Sequence, residues 1–250
     1  MNDDYIPQHE QITDNNFTFN WVNLFIGAAL CYFWFYESWK SMACLAIVVI
    51  IHELGHVVAG KHYGCAIEEM QVFLLAFVTW RPRRREGTCS WRDISWSLGA
   101  LPLGGFTVFK NRPSESAAPN NLLDVARSLY INDKPAWQRL LISAGGVVFN
   151  LATFLLLYLS LPYQPEALNN ALWPVMAMSL VLAVLNILPV YPLDGGAILL
   201  AAYEMVIRKK PSQRFVNACG MVGMALIILF FWVFPQWVQG IIQRVFGAFF

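Results

Sequence analysis

Five apolar runs, at residues 21–39, 42–62, 140–161, 171–188 and 215–234, dictate the environment in which this chain folds. A helix needs about 20 mostly apolar residues to cross a hydrocarbon core of roughly 30 Å, and inside lipid only a helix or a closed barrel satisfies its own backbone. Composition agrees: 57% of residues are hydrophobic and 13% charged, against about 45–50% and 25% in soluble domains. The expected fold is an all-α polytopic membrane protein of about five transmembrane helices, multi-pass in a lipid bilayer.

The segment between the second and third runs, 63–139, carries most of the basic residues, among them Arg81, Arg83, Arg84 and Arg85. Cytoplasmic loops carry the excess of Lys and Arg, so this segment is expected on the cytoplasmic side of the cell (inner) membrane. The Arg208, Lys209, Lys210, Arg214 cluster follows two runs later and falls on the same side. Within the segment, 70–80 and 91–110 are rich in Val, Phe, Trp and Thr and punctuated by Gly and Pro, which predicts short strands or hairpins and a small membrane-associated β region. Residues 113–121 read as a loop and 121–130 as a brief amphipathic helix. Two further amphipathic helices are expected after Gly196 and Pro235; whether 236–250 spans the membrane or lies on it is left open.

Residues 1–20 form a polar, acidic tail without the basic start and cleavage site of a secretory signal, so the helix expected over 21–41 stays in the mature protein. Five scattered cysteines without a C-x-x-C pair indicate neither a disulfide framework nor a thiolate zinc site. A net charge of +1 gives no reason to expect a nucleic-acid partner.

His52, Glu53 and His56 form H-E-x-x-H inside the second apolar run. Residues four apart share one helical face, so both imidazoles can converge on one metal with Glu53 beside its water, the pattern of a zinc hydrolase. Ionisable groups in the bilayer core cost about 2.5–3.5 kcal/mol each, and a shared metal offsets that cost where a chance pair of histidines does not. Catalytic zinc usually takes a third protein ligand. Glu37 lies at the opposite end of the second span and Glu204 on a later amphipathic helix. Asp194 sits in Asn-Ile-Leu-Pro-Val-Tyr-Pro-Leu-Asp-Gly-Gly over 186–196, where Pro189 and Pro192 interrupt a span. Alone, Asp194 would read as the cap of the following helix; beside an intramembrane H-E-x-x-H it reads as the third ligand.

These motifs resemble the site-2 protease family of intramembrane zinc metalloproteases. His52-Glu-Leu-Gly-His56 matches the family's metal helix, and 186–196 matches its downstream Asn/Pro/Leu-Asp-Gly motif. Pro102-Leu-Gly-Gly-Phe106 resembles the strand after the metal helix, and Lys134 to Arg139 with Ala144 to Asn150 resembles the entry to the next core span. Family members often have Pro where this chain has Gly146, a change expected to affect packing more than chemistry. The connection from Pro162 to Asn170 is too short for a PDZ domain. The resemblance implies a compact core over 42–196, with the strand-rich loop 63–136 inside it and helices over 197–250, lacking any large regulatory domain.

The resemblance further implies Zn2+ held by His52, His56 and Asp194, with Glu53 as the catalytic base. Substrates would be membrane proteins, single-span or membrane remnants, with a separate regulatory partner where selection needs one. Asn150, Asn186, Gly104 and Gly105 are candidates for substrate or oxyanion contact; for the asparagines the alternative is satisfying backbone at helix irregularities, and for the glycines a plain turn. Two rival readings are a metalloprotease of another class using Glu204, and a non-proteolytic zinc-binding scaffold or transporter.

Overall fold

A computed structural model of the protein describes residues 16–35, 39–82, 90–112 and 128–233. The tail up to residue 15, Arg83 to Arg85, the 113–121 loop, most of the 121–130 helix and everything after 233 lie outside the described residues. Among the described residues six α-helices, α1 (Trp21–Phe35), α2 (Trp39–His62), α3 (Ala136–Ser160), α4 (Glu166–Asn186), α5 (Asp194–Ile207) and α6 (Gln213–Val233), accompany three strands, β1 (Asn16–Phe19), β2 (Ile67–Arg81) and β3 (Ser95–Phe109).

Three helical stretches are long and apolar enough to cross a membrane: Met42–His62, Ala136–Tyr163 and Glu166–Asn186. The count of five expected from the sequence is not reached among the described residues. At 15 residues α1 is about 22 Å long, short of the hydrocarbon thickness. Among the described residues the apolar stretch of α6 covers Gln213 to Leu229. Prolines mark the helix starts: Pro135 and Pro165 precede α3 and α4 with φ of −59° and −61°, at positions where the missing N–H breaks no intrahelical bond.

The sheet is mostly antiparallel, ordered β1-β2-β3. Both long strands fold back on themselves. Glu69 to Val72 pair on one side with Gly105 to Val108 and on the other with Ser95 to Leu98, which also pair with Val78 to Trp80. The fold in β2 falls at Phe73 and Leu75, which adopt φ of 67° and 57°, a region non-glycine residues enter at a cost. Buried Gln71 braces that bend by donating from Nε2 to Phe73 O at 2.7 Å. β1 arises where the sequence reads as tail, because Phe17-Thr-Phe19 alternates like a strand and pairs with Val78 to Trp80.

One face of α2 packs on the sheet: Val49 and Val57 join Ile67, Met70, Val72, Phe73 and Ile94 in one buried cluster. Its other side crosses α3 at Gly55 and Gly145, so closely that a Cβ on Gly145 would stand 2.5 Å from Gly55 O. Small residues let membrane helices approach at this distance. α3 also packs against α4 and α5, and an Arg139–Glu204 ion pair ties α3 to α5. Below the helices, Arg112 pairs with Asp133, and that pairing holds the Asp133 carboxyl below its usual range.

Candidate metal centre

The spacing of α2 puts His52, Glu53 and His56 on its buried face, all three less than a tenth exposed. Asp194 reaches them from the first turn of α5. The break that delivers it comes from Pro189 and Pro192: α4 stops at Asn186 and a short turn leads into the new helix at Asp194. Asp194 Oδ2 lies 3.0 Å from His52 Nε2 and 3.3 Å from His56 Nε2, and the two Nε2 atoms are 3.3 Å apart.

That triangle fits a zinc ion. Ligand atoms on a tetrahedral zinc with bonds of about 2.0–2.1 Å stand about 3.3 Å from one another. Asp194 Oδ2 is buried and makes no hydrogen bond despite its proximity to both imidazoles. His56 Nδ1 is 2.9 Å from Ile142 O, and a carbonyl can only accept, so the proton sits on Nδ1 and Nε2 turns a bare lone pair inward. Space is kept open beside the nitrogens by Gly146, where a Cβ would stand 2.5 Å from His56 Nε2 and 2.6 Å from His52 Nε2. Gly146 therefore borders the metal centre itself, closer to the chemistry than the packing role expected for it.

Glu53 accepts a hydrogen bond through Oε2 from Thr107 Oγ1 at 2.8 Å. Thr107 went unnoticed in the sequence, though strand alternation could have found it: it lies two residues beyond Gly105, which also faces α2. A Cβ on Gly105 would stand 2.6 Å from Gln71 O, 2.9 Å from Val49 Cγ1 and 3.1 Å from Glu53 Cγ, so close helix–sheet packing explains this glycine. Gly104 differs, with a φ of +88° and open space where a side chain would be.

Asn150 is fully buried on α3 with Nδ2 3.1 Å from His52 Nδ1. Asn186 donates to Leu182 O at 3.0 Å, one turn back in its own helix. Glu204 is engaged by Arg139, and the group that could hold a metal ion among the described residues consists of His52, His56 and Asp194.

Comparison with known proteins gives concordant results. The model of peptidase family M50 matches residues 40–167 and 163–230. The metalloprotease MmpA of Caulobacter vibrioides is 30% identical over 128 residues, which are 46% of this chain and 30% of that protein. A Nostoc protein whose name includes the words zinc metalloprotease is 30% identical over 113 residues, 44% of this chain and 27% of its own length. The chain thus matches less than a third of the length of either relative. The solved site-2 protease from Methanocaldococcus jannaschii has the same fold at a TM-score of 0.50 and 20% identity, over 91% of this chain and 83% of that one.

Proposed function

Since this chain belongs to peptidase family M50, the site-2 protease family, we propose that it is a zinc-dependent endopeptidase that cuts membrane proteins within or beside their transmembrane segments. The observation that carries the proposal is the 3.0–3.3 Å triangle of His52, His56 and Asp194 with Glu53 adjacent in sequence, on a helix apolar enough to span a bilayer.

In this reading His52, His56 and Asp194 hold the ion through Nε2, Nε2 and Oδ2. What bound zinc supplies is Lewis acidity, lowering the pKa of water toward about 7 and polarising a carbonyl. Glu53 takes the proton of the attacking water and delivers it to the leaving amine. Thr107 fixes the Glu53 carboxylate through its 2.8 Å hydrogen bond, leaving the other oxygen for the water. A helical substrate hides its peptide bonds and must unwind locally. The Gly105 to Phe109 segment of β3, paired with β2 on one side, then offers its other edge to an extended substrate strand. The open space at Gly104 would let that strand approach, and Gly105 and Asn186 remain candidates for contact with the substrate backbone.

Substrates in this proposal are single-span proteins or membrane remnants, with a separate partner supplying regulation. The strand-rich loop faces the cytoplasm, in keeping with its basic residues. The core is 42–196, with 1–20 and 21–41 ahead of it and 197–250 after it.

The test compares cells expressing wild type or Glu53→Gln by mass spectrometry of protein termini, with zinc content measured on both purified proteins. New termini within apolar segments that require wild type, with equal zinc in the two proteins, are the expected result. Identical terminus profiles at equal zinc content would overturn the protease reading in favour of a zinc-binding scaffold.

A further inference from the structure

The two imidazoles of the metal centre are held from behind by different groups. His56 Nδ1 faces the Ile142 carbonyl, which fixes the proton on Nδ1. His52 Nδ1 faces the amide of Asn150, a residue with no exposed surface, located 98 positions away on α3. An amide, unlike a carbonyl, has two faces. Its Nδ2 stands 3.1 Å from His52 Nδ1, while Oδ1 is buried with no hydrogen-bond partner.

While Nδ2 faces it, His52 Nδ1 can only accept, which requires its lone pair. When Nε2 ligates a metal, the proton moves to Nδ1, and an Nδ2 facing it would oppose two donors. A half-turn of the amide presents Oδ1 instead, and because Oδ1 has no bond where it stands, nothing is broken on that side. The rotation exchanges one unpaired amide atom for another.

We propose that Asn150 is the positioning residue for His52: in the metal-bound protein its Oδ1 accepts the Nδ1–H of His52, fixing the ring so that Nε2 faces the ion. The inference rests on the zinc reading above and deepens it. It also accounts for an amide at this position, since Asn serves both ring tautomers whereas Asp could only accept and Leu could do neither.

The test uses the full chain in detergent, with Zn2+ affinity measured by chelator competition and the visible spectrum of the Co2+-loaded protein as a second readout. An outer partner of a ligating histidine is typically worth 10–100-fold in metal affinity. Asn150→Leu should weaken Zn2+ binding by about that factor and alter the Co2+ spectrum. Asn150→Asp, an obligate acceptor once ionised, should keep the wild-type affinity to within a few-fold and preserve the spectrum. Two results overturn the inference: Asn150→Leu binding Zn2+ as wild type does, or Asn150→Asp losing affinity, which would mean the amide acts as a donor or only fills space. Should Asn150→Leu fail to fold, Asn150→Asp decides alone. A wild-type protein that takes up no Zn2+ overturns the zinc reading and this inference with it, whereas wild-type binding with an indifferent Asn150→Leu overturns this inference alone.

Discussion

Thr107 shows how much a single hydroxyl contributes at the centre. Its hydrogen bond reaches a carboxylate that is 3% exposed, and bonds to charged groups contribute about 1.5–3 kcal/mol. Thr107→Val keeps the shape of the side chain and removes the donor. We expect a kcat about 10- to 100-fold lower at unchanged zinc content, with Thr107→Ser restoring most of it, as each 1.4 kcal/mol is worth tenfold in rate. Equal rates in Thr107→Val and wild type would show that Glu53 needs no such support. The residues that met in the structure as the sequence anticipated, His52, Glu53 and His56, owe this to a spacing written into one helix. The groups behind them were not legible because they arrive from elsewhere: Thr107 is 54 residues from Glu53 and Ile142 is 86 from His56. Asp194, which alone reads as the cap of the following helix, was read as a third ligand only because an intramembrane H-E-x-x-H stands elsewhere in the chain, and the structure brings its Oδ2 within 3.0–3.3 Å of both imidazoles.

Among the elements, the crossing of α2 and α3 sets the geometry on which the site depends. Gly145 packs its backbone on Gly55, while Ile142, Gly146 and Asn150 of the same helix face the histidines. A Gly145→Val side chain has no space there, and overpacking of this kind costs about 1–3 kcal/mol. The expected outcome is a melting temperature several degrees lower together with weaker zinc binding, because the two helices must separate and take the Ile142 carbonyl and the Asn150 amide with them. Leu155→Val, at a position on α3 that is 52% exposed, serves as the control and should change neither. Unaltered zinc affinity in Gly145→Val would mean that the crossing does not govern the site. Element types were readable wherever periodicity was long, as in α2 to α4, and the predicted strands 70–80 and 91–110 correspond to β2 and β3. What periodicity could not show is that each strand doubles back, since the bend lies at Phe73 and Leu75, neither of which is a glycine or proline. β1 escaped for a different reason, its four residues being too few to set a pattern.

For the molecule as a whole, the candidate metal centre joins α2 to α5, an element that otherwise packs mainly on α3. Two of the candidate ligands belong to α2, in the middle of the packed core, and the third to α5, which follows a turn rich in proline. The Arg139–Glu204 ion pair fastens the far part of α5 to α3, and α6 meets Tyr191 of the intervening turn through Gly220. At the Asp194 end, a bound ion would therefore act as the cross-link between α5 and α2. A ligand that binds only the folded state stabilises it by about 2.7 kcal/mol when present at 100 times its Kd. Chelation of the zinc-loaded protein should lower the thermal midpoint and speed proteolysis in the turn over 187–193, while cleavage within the sheet stays slow, since that region is held by backbone pairing and the α2 cluster. In Asp194→Ala the cross-link is absent from the start, so its midpoint and cleavage rate should not respond to the chelator. If chelation shifted the midpoint of Asp194→Ala as far as that of wild type, α5 would not be held through the ion, and the connection between Asp194 and the histidines would have to rest on packing alone.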